Sequence, residues 1–387
     1  MTSLPERATH QQTRAFNQQL VLRTIYDQDR ISRADVARLT GLTRTSVSHL
    51  VAELLGTGLV AEVGRGPSNG GKAPILVSVA TDSRHVLGLD LGEESFNGAL
   101  VNLRGEIVHS LSLPLEGRDG EAAVQRVLQL LDDLRARSTR PLLGIGIGAP
   151  GLIDSRSGTV RWAVNLDWAD LALGPLVAER CGVPVVVAND SQAAALAEYS
   201  FAARPRPANL VVIRVGRGLG AGIILGGQLF QGDGSGAGEI GHTAFVPAGQ
   251  RCRCGSVGCL ETVASLRAMV GAAAQLRPAV RDEQSLVAAL RSGDREMLGV
   301  VQHAGEMLGL GIAAMVGSLN VSHFVLVGPA VALGERWLDA VRRRASQSAL
   351  PLLARETDIR LGQERDDVLL GASALLLRHK LGLSLVR

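Results

Sequence analysis

The chain has 387 residues, 46% hydrophobic and 20% charged, with 46 glycines, enough for two or three domains with buried cores and many tight turns. No apolar run approaches the roughly 20 residues of a membrane span, and MTSLPERATHQQTR lacks the apolar centre of a secretion signal, so a cytoplasmic protein with no membrane partner is expected. The formal charge of +3 is carried entirely by residues 1 to 80, where nine Lys and Arg meet six Asp and Glu, while the remainder balances at 31 of each sign; this local excess points, weakly by itself, to a polyanionic partner.

From the N-terminus, FNQQLVLRTIYD (16–27) has helical apolar spacing. Ser32 is placed to cap a short helix, RADVARLT, ending at Gly41, and Thr43 to cap a second, RTSVSHLVAELL, ending at Gly56. Two helices joined by so short a turn read as helix-turn-helix. In the second, Val47, Leu50, Val51, Leu54 and Leu55 form the apolar stripe, which leaves Arg44, Thr45, Ser48 and His49 to reach base edges in a major groove. GLVAEVG and APILVSVA read as strands of a wing around RGPSNGGK, whose Arg65 and Lys72 are positioned for phosphates or a minor groove.

The pattern changes at residue 85. HVLGLDLG, FNGALVNL and GEIVHSLSLPL read as three successive strands, followed by a helix over 120–137, the apolar strands LLGIGIGAP and VPVVVAND, and the helix SQAAALAEYSFA closing this half. The pattern recurs with NLVVIRVG, the hairpin LGAGIILGGQLF, helices over roughly 262–319, the strand SHFVLVGPA and the helix DDVLLGASALLLRHKL. Such a repeat predicts two related lobes with a cleft between them. The linker near Ala80 to Arg84 is short, so reader and lobes are expected to be mechanically coupled.

One stretch within the second half carries distinct chemistry. His242, Cys252, Cys254 and Cys259 are a full ligand set for tetrahedral Zn²⁺, one ion per chain, with no position left for water, so the ion is expected to be structural and metal-dependent hydrolysis is excluded. Cys181, before Gly182 in a helix-to-strand turn, is the fourth cysteine, and no disulfide framework is implied. Glu239 and Glu261 flank the metal loop, which can hold both carboxylates toward one cavity as acceptors for hydroxyls.

The motif G-H-x₉-C-x-C-G-x₂-G-C-x-E resembles the signature of the ROK family of bacterial sugar kinases and sugar-responsive regulators, and the resemblance extends over nearly the whole chain. It implies an α/β fold of the actin-like ATPase (ribonuclease H-like) kind with two lobes, preceded by an all-α, winged helix-turn-helix domain. The implied domains are 1–80, 83–192 plus 365–387, and 193–364 with the zinc loop. It also implies a sugar site: the turn Gly148, Pro150 and Gly151; Asn165; Asn189 and Asp190; and Glu239, His242 and Glu261. Asp190 matches the base that takes the proton of the attacking sugar hydroxyl in the kinases. Capping of the following helix is the alternative role for Asn189 and Asp190, and a plain turn for Asn165. His242 can serve zinc through one ring nitrogen and a sugar oxygen through the other.

Two functions compete. One is a regulator, expected to be a repressor, whose operator affinity responds to a sugar or sugar derivative and which binds DNA as a homodimer or dimer of dimers. The alternative is an ATP-dependent sugar kinase with a DNA-binding arm. The nucleotide side of the cleft decides for the first. Where the kinases carry D-x-G-G-T this chain has Asp90-Leu91-Gly92-Glu93-Glu94-Ser95; their G-T-G is Gly216-Arg217-Gly218; and their Gly-rich adenosine segment is Gly328-Pro329. Asp190 is then a vestigial base, and Arg217 is expected to pair with Glu93 or Glu94 in the nucleotide space.

Overall fold

The structure is a computed structural model that describes residues 10–67, 73–201, 206–362 and 366–383. The first elements are α1 (His10–Gln28), β1 (Ile31–Ser32), α2 (Arg33–Thr40), α3 (Arg44–Gly56), β2 (Val60–Arg65) and β3 (Ile75–Val79). The expected caps form: the Ser32 hydroxyl accepts the Asp35 N–H at 3.1 Å, and the Thr43 hydroxyl accepts that of Ser46 at 3.2 Å. Gly41 leaves α2 at φ 71°, a conformation that side chains disfavour. Val47, Leu50, Val51 and Leu54 are buried as expected, with Leu55 half-buried. The strands β2 and β3 pair antiparallel as a wing, and β1 adds to β3.

The next segment comprises β4 (His85–Leu91), β5 (Ser95–Val101), β6 (Ile107–Pro114), α4 (Gly120–Arg137), β7 (Leu142–Ala149), β8 (Leu152–Asp154), β9 (Thr159–Ala163), β10 (Trp168–Leu171), α5 (Leu173–Cys181), β11 (Val185–Asn189) and α6 (Asp190–Phe201). The last comprises β12 (Leu210–Val215), β13 (Leu219–Leu225), β14 (Gln228–Phe230), α7 (Glu261–Ala264), α8 (Leu266–Leu276), α9 (Glu283–Arg291), α10 (Arg295–Leu319), β15 (His323–Val327), α11 (Glu335–Ser348), α12 (Pro351–Glu356), β16 (Asp358–Leu361) and α13 (Asp367–Leu381). Two five-stranded sheets result, ordered β11-β7-β4-β5-β6 and β14-β13-β12-β15-β16. In each, an antiparallel meander lies to one side of the leading strand and two parallel strands to the other. The repeat read from the sequence is therefore real. The small sheet β8-β9-β10 and the edge strand β16 were not anticipated, because strands of three to five residues are too short for an alternation to register.

Two helices join the sheets. α13 returns to lie on β4 and β7, as expected, and packs along α6. The close approach explains the glycine run of β7: a Cβ on Gly146 would stand 2.0 Å from the Ala372 carbonyl oxygen. α6 packs on β12 and β13 of the second sheet as well as on α13, a double seat that closing the first half alone does not describe. Its small face allows this, with Ala195 where a Cβ on Gly222 would come within 2.3 Å. α10 is long and apolar enough to cross a membrane by length and composition, yet 56% of its most apolar window is buried, as befits the core helix of the second sheet's cluster.

The core of the winged unit is continuous with that of the first sheet. Val21, Ile25, Val36, Val47, Leu50 and Val77 belong to one buried cluster with Val86 and Val101 of the first sheet and with Leu369, Leu377 and Leu381 of α13. Arg104, in the β5–β6 turn, clamps the end of α1. Its guanidinium lies 4.2 Å from the Tyr26 ring centroid, donates to the Tyr26 carbonyl at 2.8 Å and pairs with Asp29 at 3.0 Å. Beside the short linker, a continuous core and an arginine clamp therefore hold the winged unit to the first sheet.

Candidate functional site

The loop between β14 and α7 brings His242, Cys252, Cys254 and Cys259 together, with all four ligand atoms within 4.8 Å of one another. Cys254 Sγ is 3.7 Å from Cys259 Sγ, and His242 Nδ1 is 3.6 Å from Cys252 Sγ. Tetrahedral zinc with thiolate and imidazole ligands has edges of about 3.5–3.8 Å, so the donor set fits the ion in chemistry and size. Burial, then the neighbouring thiols, pushes Cys259 up to about 12, a crowding that a divalent cation relieves. The second ring nitrogen of His242 faces the other way, 4.0 Å from Glu239 Oε2.

Asp190, Glu239 and Glu261 approach one another beside this loop. Burial first, then Asp190 and Glu261, pushes Glu239 up to about 7. Glu261 Oε2 accepts the Leu219 N–H at 2.9 Å and so ties α7 to the 216–218 turn. Asp190 Oδ1 accepts from the Ser191 N–H at 2.7 Å, and its Oδ2 from Arg214 Nη1 at 3.1 Å. Asn189 caps α6 by accepting the Ser191 and Gln192 N–H groups at 2.9 and 3.2 Å, and donates to the Gly151 carbonyl at 3.0 Å. It thereby positions the Pro150-Gly151 turn. That turn needs glycine for a reason the sequence did not give: at φ 85°, a Cβ on Gly151 would stand 2.1 Å from the Trp162 carbonyl oxygen. Asn165 donates its amide to Glu93.

Glu93 is the hub of the opposite rim. It is 15% exposed and meets Arg267, Arg217 at 3.2 Å and Arg253 at 3.8 Å, and Arg217 also bridges to Glu94. The pairing expected for Arg217 is present with both glutamates. Burial and the like charges of Arg253 and Arg217 lower the Arg267 pKa against the pull of Glu93. Beside this cluster a cavity of about 770 Å³ runs between the metal loop, α8 and the start of α10, and is lined by Arg217, Arg253, Arg267 and Glu261 among others.

Sequence reasoning did not single out Arg214, Arg253 or Arg267. For Arg214 a signal existed: it is the one charged residue in the otherwise apolar strand LVVIRV.

At the other end of the molecule Arg44, Thr45, Ser48 and His49 are all exposed on the first turns of α3. His49 Nε2 lies 3.1 Å from Glu53. Arg65 is exposed at the end of β2, and Lys72 lies outside the described residues.

A cleft between two sheets of like topology, bounded by a Cys₃His loop and carrying a winged helix-turn-helix on its first sheet, defines a protein of the actin-like ATPase fold with an added N-terminal unit. The chain belongs to the ROK family, whose model matches residues 86–379. It is 33% identical over 394 residues to a xylose repressor of Caldicellulosiruptor bescii, covering 96% of this chain and 98% of the relative. It is 30% identical over 386 residues to the DNA-binding transcriptional dual regulator NagC of Escherichia coli, covering 95% and 93%. Among solved structures, a ROK family transcriptional regulator, homolog of E. coli MLC protein, matches with a TM-score of 0.83 at 27% identity over 96% of this chain and 98% of that one. A ROK family glucokinase from Streptomyces griseus, in complex with glucose and AMPPNP, matches with a TM-score of 0.69 at 30% identity over 75% of this chain and 98% of the kinase.

Proposed function

We propose that this chain is a sugar-responsive, DNA-binding transcriptional repressor: its operator affinity changes when a sugar or sugar derivative enters the cleft between the sheets. The observation that carries the reading is the shared core, in which the helix-turn-helix and the first sheet of a sugar-kinase-like cleft bury the same cluster. The full-length likeness to repressors supports it. Residues 1–80 form the reader, 83–192 with 365–387 the first lobe and 193–364 the second. Arg44, Thr45, Ser48 and His49 meet base edges, and Arg65 and Lys72 the backbone. Asp190, Glu239 and Glu261 accept from sugar hydroxyls, His242 donates its Nε2–H to a sugar oxygen, and Asn165 and Asn189 complete the sugar site, Asn189 also holding the Gly151 turn. A homodimer or dimer of dimers on a pseudo-palindromic operator in the cytoplasm completes the reading.

His242, Cys252, Cys254 and Cys259 would hold one Zn²⁺, whose role is to fix the loop rather than to react. His242 is then held through Nδ1 while Nε2 stays on the Glu239 side, so the metal site sets the geometry of the sugar site.

The alternative is an ATP-dependent sugar kinase with a DNA-binding arm, favoured by the retention of Asp190 beside the other carboxylates. Against it stand Glu93 and Glu94, which meet a triphosphate with like charge, and Arg217, which is engaged by both. Three measurements decide. A thermal-shift screen of monosaccharides and their phosphates, beginning with D-xylose, D-glucose and N-acetyl-D-glucosamine, finds the effector. The affinity of the full chain for a duplex selected from a random library is then measured with and without that sugar. Sugar should weaken DNA binding, and DNA should weaken sugar binding by the same factor. Identical DNA isotherms with and without a bound sugar would overturn the repressor reading, and sugar-dependent ADP release abolished by Asp190→Asn would establish the kinase.

A further inference from the structure

Arg214 places a guanidinium inside the cleft, on a strand whose other residues are apolar. Its Nη1 is 3.1 Å from Asp190 Oδ2, and the two side chains are only 22% and 19% exposed. The same guanidinium borders the nucleotide-side loops: a Cβ on Gly216 would lie 3.7 Å from Arg214 Nη1 and 3.6 Å from Pro329, and one on Gly328 would lie 3.3 Å from Arg214 Cγ. Arg214 therefore fills the space between the two turns that differ from the kinase pattern. Across it stands Asp90 at the end of β4. Asp90 feels Arg214 and Asp190 as its strongest charged neighbours. Asp90 belongs to the first sheet and Asp190 follows β11 of that sheet, whereas Arg214 belongs to the second.

We infer that Arg214 is the positioning residue that couples sugar occupancy to the geometry of the two lobes: it holds Asp190 from the second sheet, and a sugar hydroxyl that takes the same carboxylate displaces it. This rests on the sugar-sensing reading above and adds the device by which binding is felt. The argument is one of acceptor capacity. Asp190 Oδ1 already accepts from the Ser191 N–H and hydroxyl, at 2.7 and 3.1 Å. Oδ2 is the oxygen left for a hydroxyl, and it is the one Arg214 holds. A carboxylate oxygen can accept more than one donor, but a sugar ring and a guanidinium approaching the same oxygen compete for direction and space. As Arg214 turns away, Asp90 keeps it compensated, so no buried cation is left alone. What changes is the link between β12 and the start of α6. α6 packs along α13, and α13 shares its core with the reader. The displacement thus acts on the element nearest the DNA-binding unit.

The test uses the full chain, the effector identified in the monosaccharide screen and the selected duplex. Arg214→Gln removes the competitor. Sugar affinity by calorimetry should rise about tenfold, and DNA affinity without sugar should fall to within about threefold of the sugar-saturated wild type, because the held conformation is no longer favoured. Arg214→Lys keeps a cation at the same place and should retain a sugar-dependent change in DNA affinity, which a merely structural role for the side chain would not distinguish. Wild-type sugar affinity in Arg214→Gln together with an unchanged DNA response overturns the inference while leaving the sensing reading intact. A wild type that binds no monosaccharide overturns both. Should Arg214→Gln fail to fold, hydrogen exchange on the wild type reads the same point. Amides of 190–196 and 212–219 should exchange faster by about fivefold or more with sugar bound, and unchanged exchange in both segments overturns the displacement.

Discussion

The reader and the cleft are built by opposite means. The helix-turn-helix is assembled from contacts a few residues apart: Ser32 to Asp35, Thr43 to Ser46, and Gly41 in the left-handed turn. The cleft is assembled from partners far apart in the chain. Arg217 and Glu94 are separated by 123 residues, and Arg267 and Glu93 by 174. A reader made of local caps sets the start of each helix from residues close in the chain. A cleft made of distant charges exists only while the lobes keep their positions, which makes it the element that can respond to a ligand.

That comparison can be broken at the metal loop first. Cys254→Ser should remove the ion, leave Cys252 and Cys259 without a counter-charge and unfold the loop that carries Glu239, His242 and Glu261. Metal analysis should fall from one zinc per chain to well below it, and sugar binding should be lost, with the reader's helical content retained. A wild type purified without chelators that holds no zinc contradicts this outright.

At Asp90 the effect is read through pH. Burial, the first cause, pushes its carboxyl up to about 6 from 3.8. The folded protein therefore keeps a proton there that the unfolded chain has lost between about pH 4 and 6. The associated stability is full below pH 4 and is lost as pH rises through 6, amounting to roughly 3 kcal/mol. Asp90→Asn removes this slope, so the difference in urea-unfolding free energy between wild type and variant should shift in the variant's favour by about that amount between pH 4 and 7.5. Parallel pH profiles would place Asp90 in a less buried setting.

Glu93 and Glu94 offer an internal control. Glu93→Gln leaves three guanidiniums around a neutral amide and should destabilise by about 2 kcal/mol, reduced from the fully buried case because the arginines are partly solvated. Glu94 is 73% exposed, and its change to Gln should move stability by less than about 0.5 kcal/mol. Equal effects in urea unfolding would show that Glu93 is not the hub. The smallest effect on the fold belongs to the reader: Arg44→Ala should leave sugar binding and stability unchanged and weaken DNA binding by about 1–3 kcal/mol if Arg44 contacts a guanine, less if it meets a phosphate.

The same contrast explains what could be read in the sequence. Caps, apolar periods and the Cys₃His spacing are short-range signals, and they placed the reader, both sheets and the metal cluster. The partners of Glu93 and Asp190 were out of reach except for Arg217, because a cross-lobe ion pair leaves no spacing pattern in the chain. Arg214 marked itself only as a charge in an apolar strand. The double seat of α6 was not legible because an alanine-rich helix shows no preferred face until the glycines opposite it are known.

The cluster that joins the reader to the first sheet is closed by Leu377, Leu381 and Leu383, near the other end of the chain from Val21 and Leu50. During synthesis α1 to α3 emerge first, yet the core beneath them is complete only when α13 has left the ribosome. A chain that ends before α13 therefore packs its winged unit against an incomplete cluster, so the helix-turn-helix reaches its final support only when the last helix is in place.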